Sequence, residues 1–296
     1  MARLDRLVAM NVALPVTKIA GPKEGTRVPI LMYHSISENL FGKSHPYYQI
    51  NTAPRIFVEQ MRSLRRMGYK TLAPGEVVER FQRGADLAKA FVITFDDGYR
   101  DFVKEALPVL KECGFTATIY LATSRIQDAP AKIDGAEYLS WSEVRELRRQ
   151  GIEFGSHTIS HPILREQKPE QVRNELKRSK EIIQDQLGEQ VVSFAYPYAF
   201  PEEDAGFKKF LDAELQSAGY HNGVTTILGR ASRGDHRFFL PRLPINSWDD
   251  EKFLKAKLEG GYDWLHWPQH LKKTLRHKWK GAKRQEDADI WNVVAT

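Results

Sequence analysis

The stretch Phe91–Gly98 (FVITFDDG) decides how this chain is read. Five apolar, aromatic or β-branched residues in a row, Phe91 to Phe95, suit a strand buried on both faces. Two carboxylates, Asp96 and Asp97, then end the run, and Gly98 permits a sharp turn. Buried strands of this kind belong to parallel sheets, whose faces are covered by helices. The sequence on either side carries that pattern. Strand-like runs recur at Val28–Tyr33, Thr116–Leu121, Ile152–Gly155, Val191–Ala195, Gly223–Thr226 and Arg237–Leu240. Helical spacing falls between them over 54–67, from Pro74, over 102–113, 140–151, 169–187, 203–217 and 249–258. Thr52 or Asn51 is expected to cap the helix that opens at Pro54, Pro108 to kink or restart the 102–113 helix, and Ser140 to open a capping box with Glu143. Six or seven strand-helix units in about 230 residues fit a closed or partly closed α/β barrel.

Composition narrows the function. The chain has 296 residues, 42% of them hydrophobic and 28% charged, enough for a large core. A single cysteine, Cys113, excludes an internal disulfide framework and any multi-cysteine zinc site. No apolar run is long enough for a transmembrane helix. The net charge is +6, yet residues 271–284 carry seven lysines and arginines and no acid. The rest of the chain is close to neutral, so no nucleic-acid partner is expected for the core. Trp264, Trp267 and Trp279 are interleaved with that basic segment, a composition that suits peripheral contact with an anionic membrane through 262–284 as well as a plain solvated helix. At the other end, Arg3 and Arg6 precede a weakly apolar run, Leu7–Val16, broken by Asn11 and Pro15. It reads as a poor signal peptide, and a cytoplasmic or peripheral-membrane location is expected. The division expected is an N-terminal extension over 1–26, a catalytic domain over 27–260 and a basic tail over 261–296.

Active groups in parallel α/β folds gather where strands end. Asp96 and Asp97 meet that rule. Two neighbouring carboxylates repel, and burying both without a cation is costly, so a metal on one and a proton role for the other is an economical solution. The plain alternative is a solvated turn. His157-Thr-Ile-Ser-His161 follows another strand, and imidazoles four apart converge readily. One Asp and two His leave a fourth position open, the pattern of catalytic rather than structural zinc. Phe194-Ala-Tyr-Pro-Tyr198 ends the next strand and offers the Tyr198 amide as an oxyanion donor.

TFDDG at 94–98, SHTISH at 156–161 and YPY at 196–198, in this order, resemble the first three motifs of the polysaccharide deacetylases, carbohydrate esterase family 4. Met32–Ile36 (MYHSI) resembles the opening motif of one branch of that family. The resemblance covers roughly residues 27–247. It implies a distorted (β/α) barrel and metal-dependent removal of N- or O-acetyl groups from a glycan or its precursor. It implies Asp96 as general base and Asp97, His157 and His161 as ligands of one divalent ion, zinc above others. Pro197 and Tyr198 would line the substrate site, with the Tyr198 amide on the oxyanion. Trp141, at the start of a helix, is a candidate sugar-stacking wall or a core residue.

Two departures stand out. Ala195 occupies the position where the third motif often has an arginine, and Arg242 in Pro241–Pro244 (PRLP) is its expected replacement. The late L-x-H motif has only Leu275-Arg276-His277 as a literal match, inside the basic tail, so His34 is the expected acid. Hydrolysis of a non-sugar amide, or glycan or membrane binding without catalysis, are the rival readings.

Overall fold

The computed structural model describes residues 4–20, 26–38 and 49–281. Seven parallel strands close into a barrel: β1 (Ile30–Tyr33), β2 (Ala90–Phe95), β3 (Thr118–Leu121), β4 (Glu153–Ser156), β5 (Ser193–Ala195), β6 (Asn222–Leu228) and β7 (Leu240–Pro244). Each strand pairs with its successor, and β7 returns to β1 through Leu243 opposite Leu31 and Pro244 opposite Met32. Closure leaves no sheet edge within the barrel. The outer helices are α1 (Pro54–Arg66), α2 (Pro74–Gln82), α3 (Leu107–Cys113), α4 (Trp141–Arg149), α5 (Pro169–Leu187), α6 (Ala205–Ser217), α7 (Glu251–Leu258) and α8 (His266–Gly281).

Strand β2 shows how the barrel is sorted into layers. Side chains alternate across a strand. Phe91, Ile93 and Phe95 enter the outer core with Phe57, Met61 and Leu64 of α1, while Val92 joins the barrel interior with Ile30, Tyr120, Val224 and Leu240. Position 96 therefore continues the inward phase. On β7, Leu240 is inward and Leu243 outward, so Arg242 also points inward. The strand alternation alone aims Asp96 and Arg242 at each other.

Several local expectations hold. Ser140 Oγ accepts from the Glu143 amide, and Glu143 Oε2 accepts from the Ser140 amide, so the capping box forms. Pro108 restarts its helix: a π-helical turn over Phe102–Ala106 precedes α3, because the proline lacks an amide donor. Two expectations fail. The residue before α1 is Ala53, with no side-chain cap, because Asn51 and Thr52 are held in a short strand against Ser35–Ile36. The last barrel strand is Leu240–Pro244, not Arg237–Leu240. Its ladder with β6 carries a register shift between Val224 and Leu228, an irregularity that tolerates the donors missing at Pro241 and Pro244.

Both chain ends described lie against the barrel domain. The helical segment Leu4–Ala20 buries Ala9 fully, and Arg6 pairs with Asp250 at 2.5 Å. Helix α8 places Trp267, Leu271 and Leu275 in solvent. The side chains of His277 and Trp279, and residues 282–284 at the end of the 262–284 segment, lie outside what the structure describes. No helix among the described residues is long and apolar enough to cross a membrane.

Candidate active site

Asp96 sits at the inner end of β2 and is 2% exposed. Arg242 reaches it across the barrel with both terminal nitrogens, Nη1 to Oδ1 and Nη2 to Oδ2, each at 2.7 Å. The guanidinium is fully buried and also donates to Thr225 O at 2.9 Å and Thr94 Oγ1 at 3.1 Å. Thr94 Oγ1 in turn donates to Leu31 O. A planar, fork-shaped cation suits this two-point grip, which a lysine could not reproduce. Burial pushes the Asp96 carboxyl up, but the Arg242 guanidinium more than reverses this and holds it well below the usual carboxylate range. Arg242 thus makes from β7 a contact with Asp96 that the Ala195 side chain cannot make.

Asp97 leaves the strand with φ 73°, and Gly98 follows at 79°. At Gly98 a Cβ would come within 2.9 Å of a Leu121 methyl, so both the angle and the space call for glycine. The turn swings Asp97 out of the inward phase toward the loop after β4. There His157 Nε2 and His161 Nε2 lie 3.2 Å apart. Asp97 Oδ1 is 3.3 Å from His161 Nε2 and 3.9 Å from His157 Nε2. His157 Nδ1–H donates to Ala195 O at 2.8 Å, which orients the ring with Nε2 toward Asp97 and His161. Burial, reinforced by His157, lowers the His161 pKa to about 4, so the His161 imidazole is neutral near pH 7.

The residues fit a metal ion. Asp97 Oδ1 is buried and accepts no hydrogen bond; Arg125 Nη1 approaches it only to 3.3 Å, so the oxygen still has a lone pair to offer an ion. One carboxylate oxygen and two imidazole nitrogens converge within 4.8 Å. This donor set suits zinc and similar divalent ions, with a position left for water or substrate.

The loop that carries the histidines is strained and held from several sides. Thr158 at φ 71° and His161 at φ 56° occupy the left-handed region, which is uncommon for a β-branched residue. Thr158 O accepts from the Thr123 amide and Ile159 O from the Ser124 amide. From α5, Glu175 accepts the Ile159 and Ser160 amides through Oε2 and the Ser160 hydroxyl through Oε1, all within 3.0 Å. Sequence reading did not single out Glu175. Its only signal is its place on the amphipathic helix after the motif. Replacing Glu175 by Ala removes three hydrogen bonds to this loop. We expect metal affinity to fall by roughly tenfold, at the low end for supporting contacts around ligands, measured by competition with a calibrated chelator. An unchanged affinity would remove Glu175 from this role.

His34 follows β1, with Nε2 4.0 Å from Asp96 Oδ2. Burial lowers its pKa against the pull of Asp96 and Asp97, so the resting ring is neutral. Tyr198, at φ 56°, packs its ring on His161 at 4.5 Å between centroids, and its side chain is half exposed. Pro197 is buried beside it. Arg125, also missed from sequence, lies 3.3 Å from Asp97 Oδ1 and over the Tyr138 ring. Trp141 is not an exposed wall: it is 6% exposed and belongs to the hydrophobic core, because the capping box at Ser140 turns the helix start inward.

A sequence profile of polysaccharide deacetylases matches residues 83–222. The Bacillus subtilis (strain 168) protein YxkH, whose name places it among polysaccharide deacetylases, is 33% identical over 221 residues, 74% of this chain and 72% of its own length. The chain belongs to the polysaccharide deacetylase family. Among solved members, the Streptococcus pyogenes deacetylase PplD, in complex with acetate, superposes with a TM-score of 0.66 at 27% identity, over 78% of this chain and 98% of that one. IcaB from Ammonifex degensii shares the deacetylase fold at a TM-score of 0.66 and 22% identity, over 80% of this chain and 98% of its own. A poly-β-1,6-N-acetyl-D-glucosamine N-deacetylase of Escherichia coli (strain K12) is 32% identical over 111 residues, 34% of this chain and 16% of that one.

Proposed function

We propose that this member of the family is a metal-dependent hydrolase that removes acetyl groups, N-acetyl in preference to O-acetyl, from a glycan or glycan precursor. The observation that carries the reading is the convergence of Asp97, His157 and His161 beside a second carboxylate, Asp96, that is not needed as a ligand. A divalent ion held by those three side chains, zinc by donor chemistry, supplies a nucleophilic water near neutral pH and a Lewis acid for the acetyl oxygen.

The chain's own residues do the remainder. Asp96 takes a proton from the attacking water, and Arg242 fixes both of its oxygens, so the carboxylate is aimed before substrate arrives. The Tyr198 amide donates to the oxygen that gains charge as the carbonyl carbon becomes tetrahedral. The C–N bond then breaks, and the nitrogen must gain a proton. The proton that Asp96 took from water passes to His34, neutral at rest with Nε2 4.0 Å from Asp96 Oδ2, and from there to the departing amine, which returns Asp96 to its carboxylate. Acetate and a free amino sugar result. The glycan class follows the name of the E. coli relative, and the acetyl group is supported by the acetate in the PplD structure.

Acetate release is the direct test. The purified chain, loaded with zinc, is expected to liberate acetate from N-acetylglucosamine oligomers, to lose the activity under a chelator and to regain it when zinc is restored. Turnover of small cyclic amides in place of the oligomers would overturn the substrate, and unchanged acetate release after chelation would overturn the metal.

A further inference from the structure

A second group of nitrogen and oxygen donors lies where α8 docks on the loop after β5, beyond Tyr198. Glu202 is 7% exposed. Its Oε2 is 2.8 Å from His266 Nε2 and 3.6 Å from His270 Nδ1. His266 and His270 are four positions apart on α8 and so share a face. His270 Nδ1 is buried and takes part in no hydrogen bond. The three donor atoms lie within 4.8 Å of one another.

We propose that Glu202, His266 and His270 form a second site for a divalent transition-metal ion, which clamps α8 to the loop after β5. Bonds of about 2.0–2.2 Å in a tetrahedral site put donors roughly 3.3–3.5 Å apart. The two separations from Glu202 Oε2 bracket that spacing, so small side-chain rotations suffice. Two imidazoles with one carboxylate select zinc, nickel or copper over magnesium or calcium. The side chains of His266 and His270 are 33% and 37% exposed, which gives an ion a path from solvent and leaves room for a water ligand. Lys273 does not occupy the site. Its Nζ binds the other carboxylate oxygen, Oε1, at 3.2 Å, and donates to Phe200 O at 3.0 Å. It orients Glu202 so that Oε2 faces the two rings. Because Glu202 lies four residues after Tyr198, the ion would brace the loop that presents the Tyr198 amide.

Metal counting tests this without reference to catalysis. The full chain is stripped with chelator, dialysed against zinc and analysed by atomic emission. Wild type should hold two ions, His270→Ala one, Asp97→Asn one and the Asp97→Asn/His270→Ala double variant none. An Asp97→Asn protein that holds no zinc, or a double variant that keeps the ion of Asp97→Asn, would overturn the second site. If Asp97→Asn fails to fold, the difference between wild type and His270→Ala decides, and equal counts overturn the proposal. Should the Asp97 site itself bind nothing, wild type would hold one ion and His270→Ala none, so failure of one site is told from failure of the other.

Discussion

Asp96→Asn should lower kcat by about 10²–10⁴-fold, the range lost with a general base, while zinc content stays at the wild-type value. The amide cannot take a proton from water, yet its size is unchanged. Asp97, His157 and His161 keep their donor atoms, since Asp96 is not one of the three. The fold will also feel the change. Arg242 is fully buried and would face an amide whose nitrogen opposes one of its own N–H groups. Acetate release and bound zinc measured on the same preparation separate the two effects. Wild-type turnover in this variant would take the base assignment away from Asp96.

Arg242→Met is expected to be the most destabilising single change near the site. It leaves the Asp96 carboxylate buried with no counter-charge, and breaking a buried pair from one side costs about 3–5 kcal/mol. The pH dependence has a definite sign. In wild type the folded Asp96 pKa is depressed. The stability that the pair contributes is therefore complete above the ordinary carboxyl pKa and is lost only as pH falls through the lower folded value. Without Arg242, burial is the dominant influence, so Asp96 protonates at higher pH than in wild type. The acid limb of kcat/KM should move toward neutrality, and urea midpoints should fall most above pH 5. Arg242→Lys keeps the charge but not the two-point grip, and should recover part of the stability with little of the rate. A pH profile of Arg242→Met that overlays wild type would show that the guanidinium does not tune this carboxylate.

Much of this site could be read from the chain because it is built where strands stop. The Ala90–Phe95 strand is buried at every position, and such a run shows in sequence. The two motifs at 94–98 and 156–161 carry the three converging donors on loops directly after β2 and β4. What could not be read depends on contacts between loops. Arg125 matters only because the loop after β3 is hydrogen-bonded to the histidine loop through Thr123 and Ser124. Glu175 looks like any other charge on an amphipathic helix until the loop before it folds back. Pro241 and Pro244 disguised β7, since prolines argue against an inner strand and only an irregular ladder admits them. In the tail, the run of cations hid a docked helix, because the acid that holds it, Glu202, is more than sixty positions earlier. Trp141 shows the reverse error: an aromatic at a helix start is as suitable for a core as for a sugar.

The ion pair between strands β2 and β7 joins positions 146 apart in the chain. The three converging donors all precede position 162, so they emerge during synthesis well before Arg242. Until the seventh strand takes its place beside the first, Asp96 must either stay wet or be sealed in as an isolated anion. Ring closure and neutralisation of the future base are then one event. A partly assembled barrel has a thermodynamic reason to remain open and hydrated, and the finished one has a reason not to reopen.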